Sequence, residues 1–262
     1  MTKVAVVTGA GRGLGRKIAE RLARTGHHVV CTDIDEGAAL VTAAVVDGTG
    51  MKHDVRDPDA HRAVAAAASA IGPIGAWVNN AGVLNVGESW GVGDAATRRM
   101  VEVNLLGVIW GCHAAIDAMS AGTILNIASM SALVPTPGLA VYGATKHGVL
   151  GYSLSLAAEL RRAERPITVS SLLPDAIAGD MTAAVAHDDA AGLLFSNTQL
   201  SLDEVADAAA SLVKRPRLVK TIPAYRAAMI HLVRPFPAIG LPLLERFAAI
   251  GRKRQQRKDR DD

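Results

Sequence analysis

Aromatic side chains are scarce in this chain, with three Trp, three Tyr and three Phe among 262 residues. Its core must therefore be aliphatic, as where parallel strands are covered by alanine-rich helices. Cysteine is scarcer still. Cys31 and Cys112 are too few and too separated for a disulfide framework or a zinc site, which implies reduced, buried thiols and a cytoplasmic protein. The eight histidines never fall into metal-ligand spacing, so no metal is expected. An excess of one charge is missing as well: the formal net charge is +3 and is concentrated at the C-terminal end, which gives no case for nucleic acid. By inspection no apolar run is long enough to cross a bilayer, and the chain opens directly into a strand, leaving no room for a signal peptide. No repeat or low-complexity linker divides it.

What is present is half apolar residues and a length that suits one large α/β core. The chain begins with an apolar strand that runs into Thr8-Gly9-Ala10-Gly11-Arg12-Gly13-Leu14-Gly15 and then a helix with Leu14, Ile18 and Leu22 on one face. Without a Cβ, such a turn bends tightly, lets its backbone approach a pyrophosphate, and aims a helix N-terminus at the anion. A second strand, His28–Asp33, ends in a carboxylate about twenty residues on, where a dinucleotide fold grips the adenosine ribose. Asp33, with Ile34 beside it, favours NAD, because a ribose phosphate some 4 Å away would meet a repulsion of about 4 kcal/mol per unit charge at an effective dielectric near 20. Arg12 argues the other way, since a guanidinium can pair with that phosphate. NAD is therefore the expected cofactor, with NADP the less favoured alternative.

Downstream, Ser129, Tyr142 and Lys146 stand in the spacing Ser, twelve residues, Tyr, three residues, Lys. A tyrosine with a pKa near 10 is a poor base at neutral pH unless a positive charge stabilises its phenolate. Lys146, one helical turn beyond Tyr142, is placed to supply it. Tyr142 would then exchange a proton with an alcohol or carbonyl oxygen that Ser129 holds by a hydrogen bond.

With these motifs the chain resembles the short-chain dehydrogenase/reductase family from its first strand to about residue 175. The glycine turn spans Thr8 to Gly15, the adenine contact is matched by Asp54-Val55, and the segment after the fourth strand by Asn79-Asn80-Ala81-Gly82. The family's helix asparagine corresponds to Asn104. The resemblance implies a doubly wound parallel α/β sheet of about seven strands, and hydride transfer between NAD(H) and a secondary alcohol or ketone. It further implies that Lys146 binds the nicotinamide ribose, that Asn104 holds a water linking the lysine to solvent, and that the protein is a homodimer or homotetramer. A cofactor-binding regulator with the same fold and no chemistry is the alternative.

The chain departs from the family pattern after the sixth strand, Ile167–Leu173, where Pro174-Asp175 and then Gly179 stand in place of Pro-Gly and a later Thr. The carboxamide contact must then come from the backbone near Ile177 or from Thr182. Asp175 either favours the cationic nicotinamide or turns to solvent. Residues 175–199 correspond to the family's mobile substrate flap. Leu84, Met130 and Met181 are the leading substrate contacts, with Val83, Leu133, Val141, Leu193, Leu194 and Phe195 as further apolar candidates. An apolar alcohol or ketone is expected, as none of these can pair with a charge.

Residues 1–223 are read as the catalytic domain and 224–262 as an extension, rich in apolar residues and ending in the basic run Arg252–Lys258. Pro235, Pro237 and Pro242 argue against one continuous helix there. The extension packs on its own protein or a partner subunit's site, or, as the weaker alternative, rests on an anionic membrane.

Overall fold

The computed structural model describes residues 2–233 and 235–261, without the side chains of 233, 237 and 258–261. The sequence readings that fall on the side chains of Pro237 and Lys258 lie outside the described residues. Seven strands, β1 (Val4–Thr8), β2 (His28–Asp33), β3 (Thr49–Lys52), β4 (Ile74–Asn79), β5 (Gly122–Ile127), β6 (Ile167–Pro174) and β7 (Val219–Ile222), form one sheet in the order 3-2-1-4-5-6-7. Every pairing is parallel, for example Val6 beside Val30 and Trp77.

Parallel strands need crossovers, and the sequence supplies helices between them. These are α1 (Gly13–Arg24), α2 (Glu36–Val46), α3 (Pro58–Ile71), α4 (Asp94–Val101), α5 (Gly107–Ala118), α6 (Ala140–Arg162), α7 (Asp180–Ala183) and α8 (Leu202–Lys214). Alternation along β1 splits the core. Val4 and Val6 face Val64, Cys112, Val149 and Leu156 of α3, α5 and α6, while Ala5 and Val7 face Ile18, Leu22, Val205 and Leu212 of α1 and α8. Burial of a side chain such as Leu22 contributes roughly 1.5–3 kcal/mol. Arg21 of α1 also reaches Asp203 and Asp207 of α8 at 2.5 and 2.6 Å. The chain order reverses between β1 and β4, so a crevice opens at the C-terminal ends of these two strands.

Two sequence expectations need correction here. The run Asp94–Ala118 does have the length and mean hydropathy to cross a membrane. It forms α4, a π-helical turn over Glu102–Leu106, and α5, whose Val108, Cys112 and Ala115 sit in the core, so its apolar character is accounted for by packing. In the extension, α9 (Ala224–Val233) and α10 (Pro237–Asp261) are indeed separate helices, but Pro242 does not interrupt the second. The carbonyl that Pro242 cannot engage belongs to Ala238, which is exposed, so water can satisfy it.

Candidate active site

The glycine turn is shaped by close backbone approach. A Cβ on Gly15 would lie 2.0 Å from the Gly9 carbonyl oxygen, and one on Gly9, where φ is +63°, would lie 2.8 Å from Ala81 Cα. Gly13, also at positive φ, has open space where its Cβ would be. This bend faces the crevice, and α1 starts there with no side-chain cap, so its first N–H groups remain available to an anion. Asn80 fastens the turn to the end of β4: its Nδ2 donates to the carbonyls of Thr8 at 2.9 Å and Gly9 at 3.1 Å. Thr8 Oγ1 accepts from the N–H groups of Asn80 and Ala81 in return.

Asp33 ends β2 at the crevice, where its Oδ2 accepts from Gly11 N–H at 2.9 Å. Arg12, Gly13, Leu14, Gly15, Asp33, Ile34, Asp54, Val55, Asn80, Ala81 and Gly82 line one continuous cavity with Tyr142 and Lys146. Gly11 is not on that wall, because its Cα is turned toward Asp33 and Ala38. Asp54 is held by Arg56, Nη2 to Oδ2 at 2.5 Å and Nε to Oδ1 at 2.9 Å, and this pairing keeps its carboxyl below the usual range. Sequence reading missed Arg56. An open bend over an uncapped helix N-terminus, with a carboxylate at the neighbouring strand end, fits a dinucleotide.

Ser129 follows β5, where its Oγ accepts from Ser131 N–H at 3.1 Å, and its hydroxyl neighbours that of Tyr142. Burial pushes Tyr142 up to about 12, and the neighbouring Ser129 hydroxyl acts against that rise. Lys146 is pushed down to about 8 by burial. Its Nζ donates to the Ile127 carbonyl at 2.9 Å and lies 5.6 Å from the centroid of the tyrosine ring. Lys146 thus stands beside the phenol ring while its ammonium is held on the end of β5. Asn104 is fully buried in the π-helical turn, with its side-chain amide donating to the Val83 carbonyl and accepting from Val83 N–H, both at 2.8 Å. Its amide fixes the loop after β4.

Asp175 resolves differently from either expectation. Asp175 forms an ion pair with Arg226 of α9, so it neither stands as an uncompensated charge nor turns to solvent. Thr182 of α7 turns its hydroxyl back on the segment before the helix, donating to the Ile177 and Gly179 carbonyls and accepting from Gly179 N–H. Pro174 and Ile177 line the cavity.

That cavity has a volume of about 1370 Å³. Leu84, Met130 and Met181 line it, as do Val83, Leu193 and Leu194, whereas Leu133, Val141 and Phe195 do not. The extension adds a wall that sequence reading did not foresee, including Met229, Leu241, Leu244 and Phe247. Nor is the lining free of charge beyond the cofactor end, since Arg99 and Arg226 contribute to it.

Residues 3–190 match the sequence model of the short chain dehydrogenase family. The chain is 36% identical over 198 residues to the 3-oxoacyl-(acyl-carrier-protein) reductase FabG of Escherichia coli (strain K12), covering 73% of this chain and 80% of that protein. The reductase FabG of Staphylococcus aureus (strain Mu50) is 35% identical over 198 residues, covering 72% and 80%. Among solved structures, a short chain dehydrogenase/reductase from Burkholderia phymatum in complex with NAD superposes with a TM-score of 0.83 at 27% identity, over 91% of this chain and 95% of the other. A 3-ketoacyl-(acyl-carrier-protein) reductase from Brucella melitensis complexed with NADH gives 0.75 at 30% identity, over 84% and 96%. With the seven-stranded parallel sheet and the nucleotide crevice described above, these matches make the chain an oxidoreductase that belongs to the short-chain dehydrogenase/reductase family.

Proposed function

We propose that the protein interconverts a 3-oxoacyl group and its 3-hydroxyacyl counterpart, with NAD(H) as preferred cofactor. The observation that carries this reading is that Ser129, Tyr142 and Lys146 line one cavity together with apolar side chains such as Leu193, Leu244 and Phe247. The relatives' named activity narrows the expected ketone to an acyl one in place of a small apolar alcohol. Bound nicotinamide supplies or accepts the hydride. Tyr142, protonated at neutral pH, donates its proton to the ketone oxygen in reduction and recovers it in oxidation, and Ser129 hydrogen-bonds the same oxygen. Lys146 adds a positive charge beside the ring, and Asn104 holds the Val83 backbone at the substrate end. The Asp33 carboxylate supports NAD over NADP, as do the NAD and NADH in the two solved relatives. Two buried, unpaired thiols agree with a reducing, cytoplasmic setting. Assembly as a homodimer or homotetramer through α5 and α6, with residues 224–262 as an extension packed on the catalytic domain 1–223, completes the proposal.

Calorimetric titration with NADH and NADPH, followed by turnover of a 3-oxoacyl thioester, tests it. Tighter NADH binding with oxidation of NADH on thioester addition is the expected result; tighter NADPH binding would overturn the cofactor assignment, and absence of turnover the substrate assignment.

A further inference from the structure

Arg226 joins three segments that are far apart in the chain. It sits on α9, pairs with Asp175 at the end of β6, and, with the Asn197 amide oxygen turned toward it, also donates to that oxygen from Nη1 at 2.9 Å. Asn197 closes the flap. Both partners of the ion pair are largely shielded, with side chains 21% and 17% exposed. The flap is fastened to the extension at a second place. Gln255 Nε2 donates to the Ala186 and Asp188 carbonyls, Arg254 Nη1 donates to the Ser196 carbonyl, and Gly251 comes so near Gly192 that a Cβ there would overlap the Gly192 carbonyl. The extension is therefore a built wall of the substrate cavity, anchored at both ends of the flap. The match to the family model ends at residue 190, so nothing in that resemblance assigns Arg226 a part.

A cavity of about 1370 Å³ is larger than the roughly 300–1,000 Å³ of a pocket for one small ligand. It has room for a dinucleotide and a long apolar chain together. Leu241, Leu244 and Phe247 of α10 line it together with the flap residue Leu193.

We propose that Arg226 is a positioning residue whose pairing with Asp175 and Asn197 holds the α9–α10 extension against the flap, so that the apolar wall of α10 selects substrates with long acyl chains. This rests on the acyl reading above. In reaction terms, Arg226 affects KM and chain-length preference through the wall it holds and touches no reacting atom.

The test compares 3-oxobutanoyl and 3-oxododecanoyl thioesters of N-acetylcysteamine on the full-length protein, by equilibrium binding and by kcat/KM. Wild type is expected to prefer the long chain in both. Arg226→Met and Asp175→Asn should each reduce that preference about tenfold, the size of effect one or two misplaced apolar contacts produce, mainly through KM, and Arg226→Lys should restore most of it. Phe247→Ala leaves the ion pair in place and should erode the preference alone, which covers the case in which the pair variants do not fold. Equal binding of both chains by wild type, or an equal loss on both chains in the variants, would overturn the inference. Long-chain preference in binding without turnover would instead overturn the reductase assignment and leave this inference standing.

Discussion

Burial moves the two central side chains apart on the pH scale, with Tyr142 raised to about 12 and Lys146 lowered to about 8. At neutral pH the tyrosine is a protonated acid and the lysine is still mostly cationic. That is the state required to reduce a ketone. Tyr142→Phe removes the proton and leaves the ring, so turnover should fall by about 10²–10⁴-fold while cofactor affinity stays nearly intact; steady-state kinetics beside calorimetric NADH titration decide this, and near-wild-type turnover would remove Tyr142 from the chemistry. At this scale sequence spacing located Ser129, Tyr142 and Lys146. It did not reveal that Lys146 Nζ engages the Ile127 carbonyl, because that contact depends on how α6 lies across β5. The same holds for Asp175. Its partner Arg226 is 51 positions away, and no local pattern links them.

Among the elements, the strands were legible because a parallel sheet covered on both faces demands short, continuous apolar runs, and β1, β2, β5 and β6 are such runs. The extension was read less well. A proline argues against a helix by removing one N–H, but the cost depends on whether the freed carbonyl finds water, and at Ala238 it can. The seam between α10 and the flap makes a sharp prediction. A Cβ on Gly251 would lie 1.7 Å from the Gly192 carbonyl oxygen, so Gly251→Ala should cost about 1–3 kcal/mol of stability. Denaturant unfolding measures that cost, and an unchanged midpoint would mean that α10 does not press on the flap. Gly13, with no atom within 4 Å of its Cβ position, instead tolerates volume and resists only through its φ of +53°.

For the whole molecule, acid is the informative stress. His53 and His61 are buried beside each other, ring centroids 4.3 Å apart. Desolvation holds both below the usual histidine value, with His53 at about 3 from 6.5. As pH falls below 6.5 the unfolded chain takes up protons that the native protein refuses, so stability is fully present above that value and is lost progressively toward about 3. For His53 the loss amounts to roughly 5 kcal/mol at most, at 1.36 kcal/mol per pKa unit. Urea unfolding across that window should show it, and His53→Gln should flatten the decline; a stability independent of pH there would contradict the buried neutral pair.

By itself the sequence determined the alternation of strands and helices, the nucleotide turn and the catalytic spacing, because each is set by neighbours within a few turns of chain. Only the tertiary structure decided that Asp54 is held by Arg56 and Asp175 by Arg226, that Asn104 fixes the Val83 loop, and that the C-terminal helices wall the substrate cavity. Most of these pairings join residues distant in sequence. They exist only once the sheet has brought its strand ends to one edge and the extension has folded back across them.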